Sequence, residues 1–544
     1  MGSLKNPHTA SASAANAIET ESNEEAAKFE MAISATQFGK FNYCLFLLSV
    51  PGAWTIVFEV TTMSYVFPAA QCDLDLSLHD KGLLNASAYF GMISGGCLWG
   101  FLSDTLGRKK IMITTYLLDG LMVIISGFSQ NFTMLFTCKF LGGFFSCGAG
   151  SALISHLLEF HSAKYRARVQ MLRGVFGMSF GTIILPLLGL LILPADINME
   201  ISNHFVLHSW NVYLLTCAIP PLLSGIIFIF LPESPKFLMT VGRNEEALAL
   251  FEKIYSCNTG KNKEDFPIKL LVDETRHDKA NEKKHGGRVT PNRTKMQALR
   301  EGCQQIRPIC FPPYLQYIIL VTTIQSFCML SIQTLRLWLP QIFQSINDYQ
   351  HYNNGTADLC SMLKMINPIQ SPSSTCSVNF SSSVYINTMI VASISVTGYI
   401  TIAVLINKVG KKLLIGTPNA RETLDTMCFP ALSCFSSGVF ALSIFFAQNT
   451  ATVLSLSSLF LTLGAIALTI IITVIVDFFP TTQRSFTIAV VMVLGRVAAM
   501  IGNVIFPLLL EAGCAPPFIV VGSLLIVSAL LTILLPNTDL KPLE

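Results

Sequence analysis

Long apolar runs separated by short polar segments dominate the chain from residue 43 to residue 535. A bilayer core about 30 Å thick requires roughly 20 apolar residues in a helix, because lipid offers no partner to an unpaired backbone group. The strands of a membrane barrel would be about 10 residues long with alternating polarity, which these runs lack. The pattern therefore predicts twelve transmembrane helices, at residues 43–69, 83–103, 111–129, 132–157, 169–194, 210–231, 314–340, 384–406, 427–447, 452–476, 486–510 and 516–535.

The composition agrees with a membrane protein. Of the 544 residues, 51% are hydrophobic and 13% are charged, whereas soluble domains carry about 25% charged residues. The 36 Lys and Arg nearly balance the 33 Asp and Glu, which argues against a nucleic-acid-binding protein, whose basic face would dominate the count. The 15 cysteines show no spacing typical of a zinc site, so no metal is expected.

The placement of the basic residues predicts the orientation. With the N-terminus inside, the cytoplasmic segments collect 30 of the 36 Lys and Arg, and the outer loops hold only Lys81 and Lys364. Because cytoplasmic loops carry the excess of basic residues, both termini are expected in the cytoplasm. No address signal separates the plasma membrane from an intracellular vesicle membrane, and both stay open.

The polar segments divide the chain into bundles and tails. Residues 1–41 are rich in Ala, Ser and Glu, which predicts a disordered cytoplasmic tail. Residues 232–313 carry fifteen basic residues between the sixth and seventh spans and are expected to form a central cytoplasmic loop. The predicted parts are a first six-helix bundle at 42–231, a second at 314–535, and a cytoplasmic tail at 536–544.

Three matched landmarks indicate that a six-helix unit has been duplicated. They are residues 231–234 (Leu-Pro-Glu-Ser) with 535–538 (Leu-Pro-Asn-Thr), residues 107–110 with 410–412, and Glu159/Arg166 with Asp477/Arg484, two pairs that share one spacing. Duplicated bundles are the architecture of transporters whose halves rock around a central site. The predicted fold is an all-α membrane protein of two pseudo-symmetric six-helix bundles.

The loop between the second and third spans carries a recognisable motif. Residues 100–110 read Gly-Phe-Leu-Ser-Asp-Thr-Leu-Gly-Arg-Lys-Lys, and residues 232–237 read Pro-Glu-Ser-Pro-Lys-Phe. Both resemble motifs of the major facilitator superfamily of transporters. Thr105 stands where that family usually has an Arg after the Asp.

Within that superfamily, residues 38–540 most resemble the branch of the synaptic vesicle glycoprotein 2 and related organic ion transporters. The stretches that carry the resemblance are 89–92, 98–100, Glu159-Phe160 with Arg166, 208–210, 338–340, and 477–480 with Arg484. The vesicle glycoproteins have a long outer segment between spans seven and eight, whereas this chain has a short one. A vesicle-specific role of that segment is therefore not expected here.

Charged residues near the predicted cytoplasmic ends of the spans are candidates for a gate. A carboxylate such as Asp104 at a helix end can pair with Arg or with helix N-termini, and such contacts would hold one access state until rocking breaks them. The alternative for the basic residues of this loop is that they only determine topology. The gate candidates are Gly100, Asp104, Gly107, Arg108, Glu159, Arg166, Asp477 and Arg484.

Six charged residues fall inside the predicted spans, where each costs a few kcal/mol unless it faces a cavity or a partner. Arg173 and Arg336 lie near span ends and are expected to snorkel to the interface. Asp119 is expected to be structural. Arg496 lies halfway along span eleven, so it is the candidate anion-attracting or gating charge, with a salt bridge inside the second bundle as the alternative.

Glu59 on span one and Lys139 on span four lie at similar predicted depths, compatible with an ion pair. In the resembled family, helices one and four line the cavity, and an acid opposite a base there often couples transport to protons. The resemblance therefore implies a coupling role for Glu59, although the base is commonly Arg. A purely structural buried pair is the alternative.

Aromatic side chains at cavity depth are weaker candidates for the binding of organic cations, because aromatic faces attract positive charge. The candidates are Trp54, Tyr65 and Trp338, and anchoring at the membrane interface is the alternative. Glycines that recur in span two, among them Gly91 and Gly100, indicate close helix packing.

The predicted outer loop at 344–383 contains two glycosylation sequons, at Asn354 and Asn379, and two cysteines. Because this side is oxidising, a local disulfide between Cys360 and Cys376 is expected.

The sequence thus predicts a secondary active transporter that moves a small organic solute, with an organic ion favoured and protons as the candidate coupling ion. No phosphate-binding GxxxxGK[ST] motif is present, so neither ATP hydrolysis nor a cofactor is expected. The sequence also shows no hydrolytic triad, which argues against an enzyme. The alternatives are a non-transporting vesicle-type glycoprotein with a trafficking or receptor role and, less favoured, a channel.

Overall fold

A computed structural model gives the structure of the protein. It describes residues 27–195, 197–202, 205–272, 314–353, 355, 357–364, 381–413, 422–478 and 481–535.

The first half of the chain is helical with one short hairpin. Its helices are α1 (Phe29–Ala35), α2 (Lys40–Ala70), α3 (Leu78–Leu106), α4 (Arg108–Gly127), α5 (Phe132–Glu159), α6 (Ala163–Leu172), α7 (Phe180–Ile192), α8 (Ser209–Cys217) and α9 (Ile219–Phe230). A π-helical segment, Arg173–Ser179, joins α6 to α7. Strands β1 (Asn198–Ser202) and β2 (Phe205–His208) pair antiparallel, with Asn198 opposite His208.

The linker and the second half are also helical. The linker contains α10 (Pro235–Thr240), α11 (Asn244–Thr259) and a 3-10 turn at Lys263–Asp265. The second half contains α12 (Tyr314–Asn353), α13 (Leu359–Leu363), α14 (Ser382–Leu413), α15 (Glu422–Ile444), α16 (Thr450–Phe478), α17 (Thr481–Ala512) and α18 (Ala515–Ile533).

Most of the predicted spans are long apolar helices in the structure. Among the described residues, nine helices are long and apolar enough to cross a membrane. Helices α3, α14 and α15 occupy the other three predicted positions, with 29, 32 and 23 residues. The all-α membrane fold is confirmed, and the count of twelve crossings stays a prediction for these three helices.

The two halves repeat the same packing pattern. In the first half α5 packs against α2, α3 and α4, and α9 packs against α2 and α4. In the second half α16 packs in the same way against α12, α14 and α15, and α18 against α12 and α15. The matched neighbours agree with the duplication that the sequence landmarks indicate. The halves meet where α2 contacts α12, α3 contacts α17, and α7 contacts α14.

The predicted disordered tail is wrong for residues 27–41. Ala27 pairs with Leu271 of the linker, and α1 follows directly. The side chain of Phe29 packs with Phe251 and other buried residues of α10 and α11 in one apolar cluster beneath the first bundle. Enough apolar surface is buried there to order the segment, so the linker residues 232–272 also fold onto the first half.

The predicted local disulfide is wrong in its partner. Cys360 in α13 is bonded to Cys514, which lies between α17 and α18. The bond ties the segment after α12 to the segment between α17 and α18, which is 154 residues later in the sequence. Cys376, Asn354 and Asn379 lie outside the described residues.

Loss of this cross-link is expected to destabilise the protein. Cys514→Ser should lower the free energy of unfolding by about 2–4 kcal/mol, because the bond closes a long loop. Thermal unfolding of the detergent-purified chain measures the change, with Cys257→Ser as control because Cys257 is a free, exposed cysteine. Peptide mapping without reductant should recover Cys360 joined to Cys514, and a peptide joining Cys360 to another cysteine would contradict the pairing.

Candidate functional site

A cavity of about 340 Å³ lies between the two halves. Its walls come from α2, the segment from Gly174 to α7, α12, α14 and α16. Apolar residues form most of the wall, and a few polar side chains point into it, as is typical of small-molecule sites. The polar lining residues that matter below are Thr61, Tyr65, Gln325, Arg336 and Ser395.

The halves are in close contact toward the predicted outer end. A Cβ placed on Gly82 of α3 would lie 2.7 Å from the Cγ atom of Pro507 in α17. A Cβ on Gly189 of α7 would lie 2.9 Å from the ring of Tyr385 in α14. Side chains larger than hydrogen do not fit at these positions, so the glycines allow the two halves to meet there.

Glu59 and Lys139 form the ion pair that their predicted depths allow. The Nζ atom of Lys139 lies 2.8 Å from Oε2 of Glu59, and the two side chains are 2% and 1% exposed. The absence of a side chain at Gly142 makes room, since a Cβ there would lie 2.6 Å from Oε1 of Glu59. The structure thus joins the two predicted residues.

The pair lies inside the first half and does not line the central cavity, contrary to the placement that the family resemblance implies. A space of about 10 Å³ adjoins it, lined by α2, α4, α5, α8 and α9. Asp119 of α4 lines the same space, is 0% exposed, and interacts electrostatically with Glu59 and Lys139. Neither carboxylate oxygen of Asp119 has a hydrogen-bond partner among the described residues.

Two arginines of the second half face the first half. Arg336 lines the cavity, and its guanidinium donates to Oγ1 of Thr61 over 3.0 Å. The expectation that Arg336 snorkels to the interface is therefore wrong, because its side chain lies in the wall of the cavity between the halves and is held there by Thr61. Arg496 donates to the Sγ atom of Cys147 in α5 over 3.3 Å, across the boundary between the halves.

The other arginine expected to snorkel, Arg173, is also buried, with 7% of its surface exposed. Its Nε atom donates to Oε1 of Gln170 over 3.2 Å. Arg173 is the first residue of the π-helical segment, so the direction of its side chain depends on a local backbone geometry that a hydropathy pattern does not predict.

Only one of the three aromatic candidates lines the cavity. Tyr65 is a lining residue, and its ring lies 6.5 Å from that of Tyr385. Trp54 instead donates from Nε1 to the carbonyl of Phe176 over 2.9 Å. Trp338 is 1% exposed and stacks on Phe506. The two tryptophans therefore pack within the protein and do not contribute to the described cavity wall.

Three charged gate candidates of the first half, Asp104, Arg108 and Glu159, form one connected network. Arg108 lies 3.0 Å from Asp104 and 3.3 Å from Glu159. Glu159 also accepts a hydrogen bond from the hydroxyl of Ser234, after α9. The network ties the ends of α3, α4, α5 and α9 together within one half, so it braces that half and, among the described residues, does not cross to the other.

Glycine at position 107 allows the tight connection between α3 and α4. Its φ is +102°, and a Cβ there would lie 2.5 Å from Oε2 of Glu233. Glu233 accepts a hydrogen bond from the backbone N–H of Lys109 over 3.0 Å, at the positive end of α4. Sequence reasoning missed Glu233 and Ser234 as members of this network. The signal that could have identified them is the motif at 232–237, to which both belong.

The remaining gate candidates have different environments. Arg166 pairs with Glu30 of α1 at 2.7 Å and donates to backbone carbonyls, so it holds α1 against the start of α6. A Cβ on Gly100 would meet no described atom within 4 Å. The side chains of Asp477 and Arg484 lie outside the described residues.

Comparison with known proteins identifies the family. The family model of the Major Facilitator Superfamily matches residues 50–418. The chain belongs to the Major Facilitator Superfamily. Its members are carriers and not enzymes, in agreement with the sequence prediction. The chain is therefore a multi-pass membrane protein of this superfamily.

Curated relatives agree with the branch that the sequence resembles. Synaptic vesicle glycoprotein 2B of Rattus norvegicus is 28% identical over 231 residues, which are 42% of this chain and 34% of the relative. Synaptic vesicle glycoprotein 2C of Homo sapiens is 27% identical over 245 residues, 44% of this chain and 33% of the relative. The matched part spans about a third of the length of these relatives.

Solved structures share the fold of this superfamily member. A crystal structure of a D-xylose–proton symporter superposes with a TM-score of 0.60 and 16% identity, covering 93% of this chain and all of that chain. The inward-open conformation of a xylose transporter from E. coli gives a TM-score of 0.59 at 18% identity, covering 92% of this chain and 98% of that chain. At these identities the likeness establishes the fold.

Proposed function

We propose that this protein is a secondary active transporter that moves a small organic ion by alternating access and couples this movement to protons through Glu59. The observation that carries the proposal is the buried Glu59–Lys139 pair beside Asp119. The pair does not line the solute cavity, but Glu59 belongs to α2, a helix that also forms part of the cavity wall.

Charge balance supports a proton at this site. Two carboxylates and one ammonium group lie together with almost no exposed surface. A net buried charge is costly in a low-dielectric interior, so one proton, carried by Glu59 or by Asp119, would make the cluster neutral. Its release would require a change in burial or pairing, which a rocking motion of the first half supplies.

Helix α2 supplies a link between the proton site and the solute site. Glu59 faces α5, whereas Thr61, two residues further on, faces the cavity and accepts from Arg336. A solute that competes for Arg336 would therefore act on the helix that holds Glu59. The solved structures of the same fold include a proton symporter, so the fold is compatible with such coupling.

The proposal predicts that Glu59→Gln abolishes accumulation driven by a pH gradient while part of the solute exchange remains, because the glutamine cannot release a proton. Uptake of labelled organic cations, anions and sugars is measured in proteoliposomes that contain the full chain, with and without an imposed pH gradient. Glu245→Gln serves as the matched control, because Glu245 is an exposed acid of α11.

Unchanged gradient-driven accumulation in Glu59→Gln would rule out the coupling role. Uptake equal to that of empty liposomes for every solute, with folded protein, would contradict transport itself and favour the vesicle-type glycoprotein without transport activity. Whether the protein resides in the plasma membrane or in a vesicle membrane is a separate question that this experiment leaves aside.

A further inference from the structure

The charges around the central cavity are of one sign. Arg336 lines the cavity and is partly exposed to it. Among the described lining residues there is no Asp or Glu, and Arg336 has no carboxylate within ion-pair distance among the described residues. Its observed partner is the neutral hydroxyl of Thr61, at 3.0 Å. The positive charge of Arg336 is therefore uncompensated where a solute would sit.

A second arginine adds to this charge. Tyr89 of α3 is buried in a small apolar cluster with Leu337 and Ala499, which follow Arg336 and Arg496 in their helices. The Tyr89 phenol interacts electrostatically with both guanidinium groups. A Cβ placed on Gly495, the residue before Arg496, would lie 3.2 Å from the Cγ atom of the lining residue Met329. Arg496 therefore lies close to the cavity wall. The neutral Sγ of Cys147 is the observed partner of Arg496.

A buried side-chain amide in the cavity wall makes no hydrogen bond within the described part of the chain. Gln325 is 0% exposed, lines the cavity, and neither its Nε2 nor its Oε1 atom has a hydrogen-bond partner among the described residues. Buried polar groups are normally satisfied, so an unpartnered amide in the wall of a cavity points to a ligand. Its N–H groups supply neutral donors to the same cavity, about three helical turns from Arg336 along α12.

We infer that the central cavity binds organic anions, with a carboxylate or a similar acidic group held by Arg336, Arg496 strengthening the positive potential, and Gln325 donating to the solute. The inference rests on the proposed transport function and adds the sign of the charge that the substrate carries. A guanidinium matches a planar acidic group with two parallel hydrogen bonds. An organic cation would instead be repelled by two positive charges that have no carboxylate partner among the described residues, so the aromatic residue Tyr65 is not expected to select cations.

The potential of the cavity can be measured without knowing the solute. Ser395 lies in the cavity wall on α14, so Ser395→Cys provides a thiol there. Purified protein in detergent is reacted with an anionic reagent, 2-sulfonatoethyl methanethiosulfonate, or a cationic one, 2-(trimethylammonium)ethyl methanethiosulfonate. The rate at each cysteine is read by mass spectrometry of its peptide, with the exposed native Cys257 as internal reference.

The anionic-to-cationic rate ratio at position 395 is expected to exceed that at Cys257 by about tenfold or more. Arg336→Gln should remove most of this preference, and Arg336→Lys should retain it because the charge stays. Equal ratios at position 395 and Cys257, or a ratio that Arg336→Gln does not change, would overturn the inference even if the protein transports solutes.

Transport of matched solutes separates this inference from the proposed function. Proteoliposomes are tested with glucuronate, glucose and glucosamine, which share one ring and differ in charge. Preferred uptake of glucuronate, with apparent affinity lowered about 10- to 100-fold by Arg336→Gln, the loss typical of a charge-assisted hydrogen bond, supports the inference. Preference for glucosamine overturns it while transport stands. An anion-selective labelling ratio without uptake of any solute supports the charge assignment and contradicts transport.

Discussion

Gly91→Ala is expected to disrupt the packing of α3 against α5 and to be among the most damaging single-atom additions in the chain. A Cβ at Gly91 would lie 2.0 Å from the carbonyl oxygen of Phe140 and 2.6 Å from the backbone nitrogen of Phe144. A Cβ placed on the facing Gly143 would likewise lie 2.2 Å from the carbonyl oxygen of Ala88. The contacting atoms belong to backbone, so no side-chain rotation can relieve the overlap, and the two helices must separate.

We expect a loss of about 3 kcal/mol or more in the free energy of unfolding, at the upper end for overpacked sites, because small residues allow membrane helices to approach closely. The apparent melting temperature of the detergent-purified chain should fall by roughly 3 °C or more. Gly100→Ala is the matched control on the same helix, because a Cβ there meets no described atom within 4 Å. Equal melting temperatures for the two variants would contradict the packing argument.

Lys139→Met is expected to destabilise the protein by about 3–5 kcal/mol, the cost of leaving a buried charge without its partner. The side chain of Lys139 is 2% exposed and is the only cation within 4 Å of Glu59 among the described residues. Its removal would leave the carboxylates of Glu59 and Asp119 together in the interior. Either a proton must be taken up or the cluster must open to water, and both cost stability.

The double variant Lys139→Met with Glu59→Gln tests this explanation. It removes both charges of the pair, so it should recover part of the lost stability relative to Lys139→Met alone. Lys261→Met in the linker, at an exposed position, is the control for removing a lysine. Thermal unfolding of the three variants gives the answer, and a double variant that is no more stable than Lys139→Met would show that charge imbalance is not the cause.

The prediction of the membrane helices succeeded where local chemistry is sufficient. Hydropathy over about 20 residues reflects the free energy of placing a segment in lipid, whatever it packs against. The predicted span at 132–157 therefore lies within α5, and the span at 516–535 nearly coincides with α18. The predicted span at 314–340 is shorter than α12, which extends to Asn353, because a helix can continue into the polar region beyond the apolar core.

The ion pair between Glu59 and Lys139 was also within reach of the sequence. Both residues lie far from span ends, so neither charge can reach water by snorkelling, and two opposite charges at one depth form the least costly arrangement. The depth along a helix follows from the rise per residue. The rotation about the helix axis does not follow from the sequence. The family resemblance implied a position in the central cavity, although the pair lies inside the first half.

The same limit explains the errors on Arg336 and the disulfide. The depth of Arg336 depends on where α12 ends, and its contact with Thr61 depends on how two halves of the chain meet. The partner of Cys360 could not be read from distance along the chain, because Cys514 is 154 residues away and is brought near by the packing of the second half. Proximity in sequence favoured Cys376 and gave the wrong pairing.

The sequence by itself determined the membrane class, the repeated helical halves and the residues whose burial demands a partner, because these follow from transfer free energies and from matched motifs that act over a few residues. Only the tertiary structure decided which side chains face the cavity, that Asp119 joins the Glu59–Lys139 pair, and that residues 27–41 fold against the linker. These features depend on the rotation of helices and on contacts between distant segments, which are fixed when the whole chain packs.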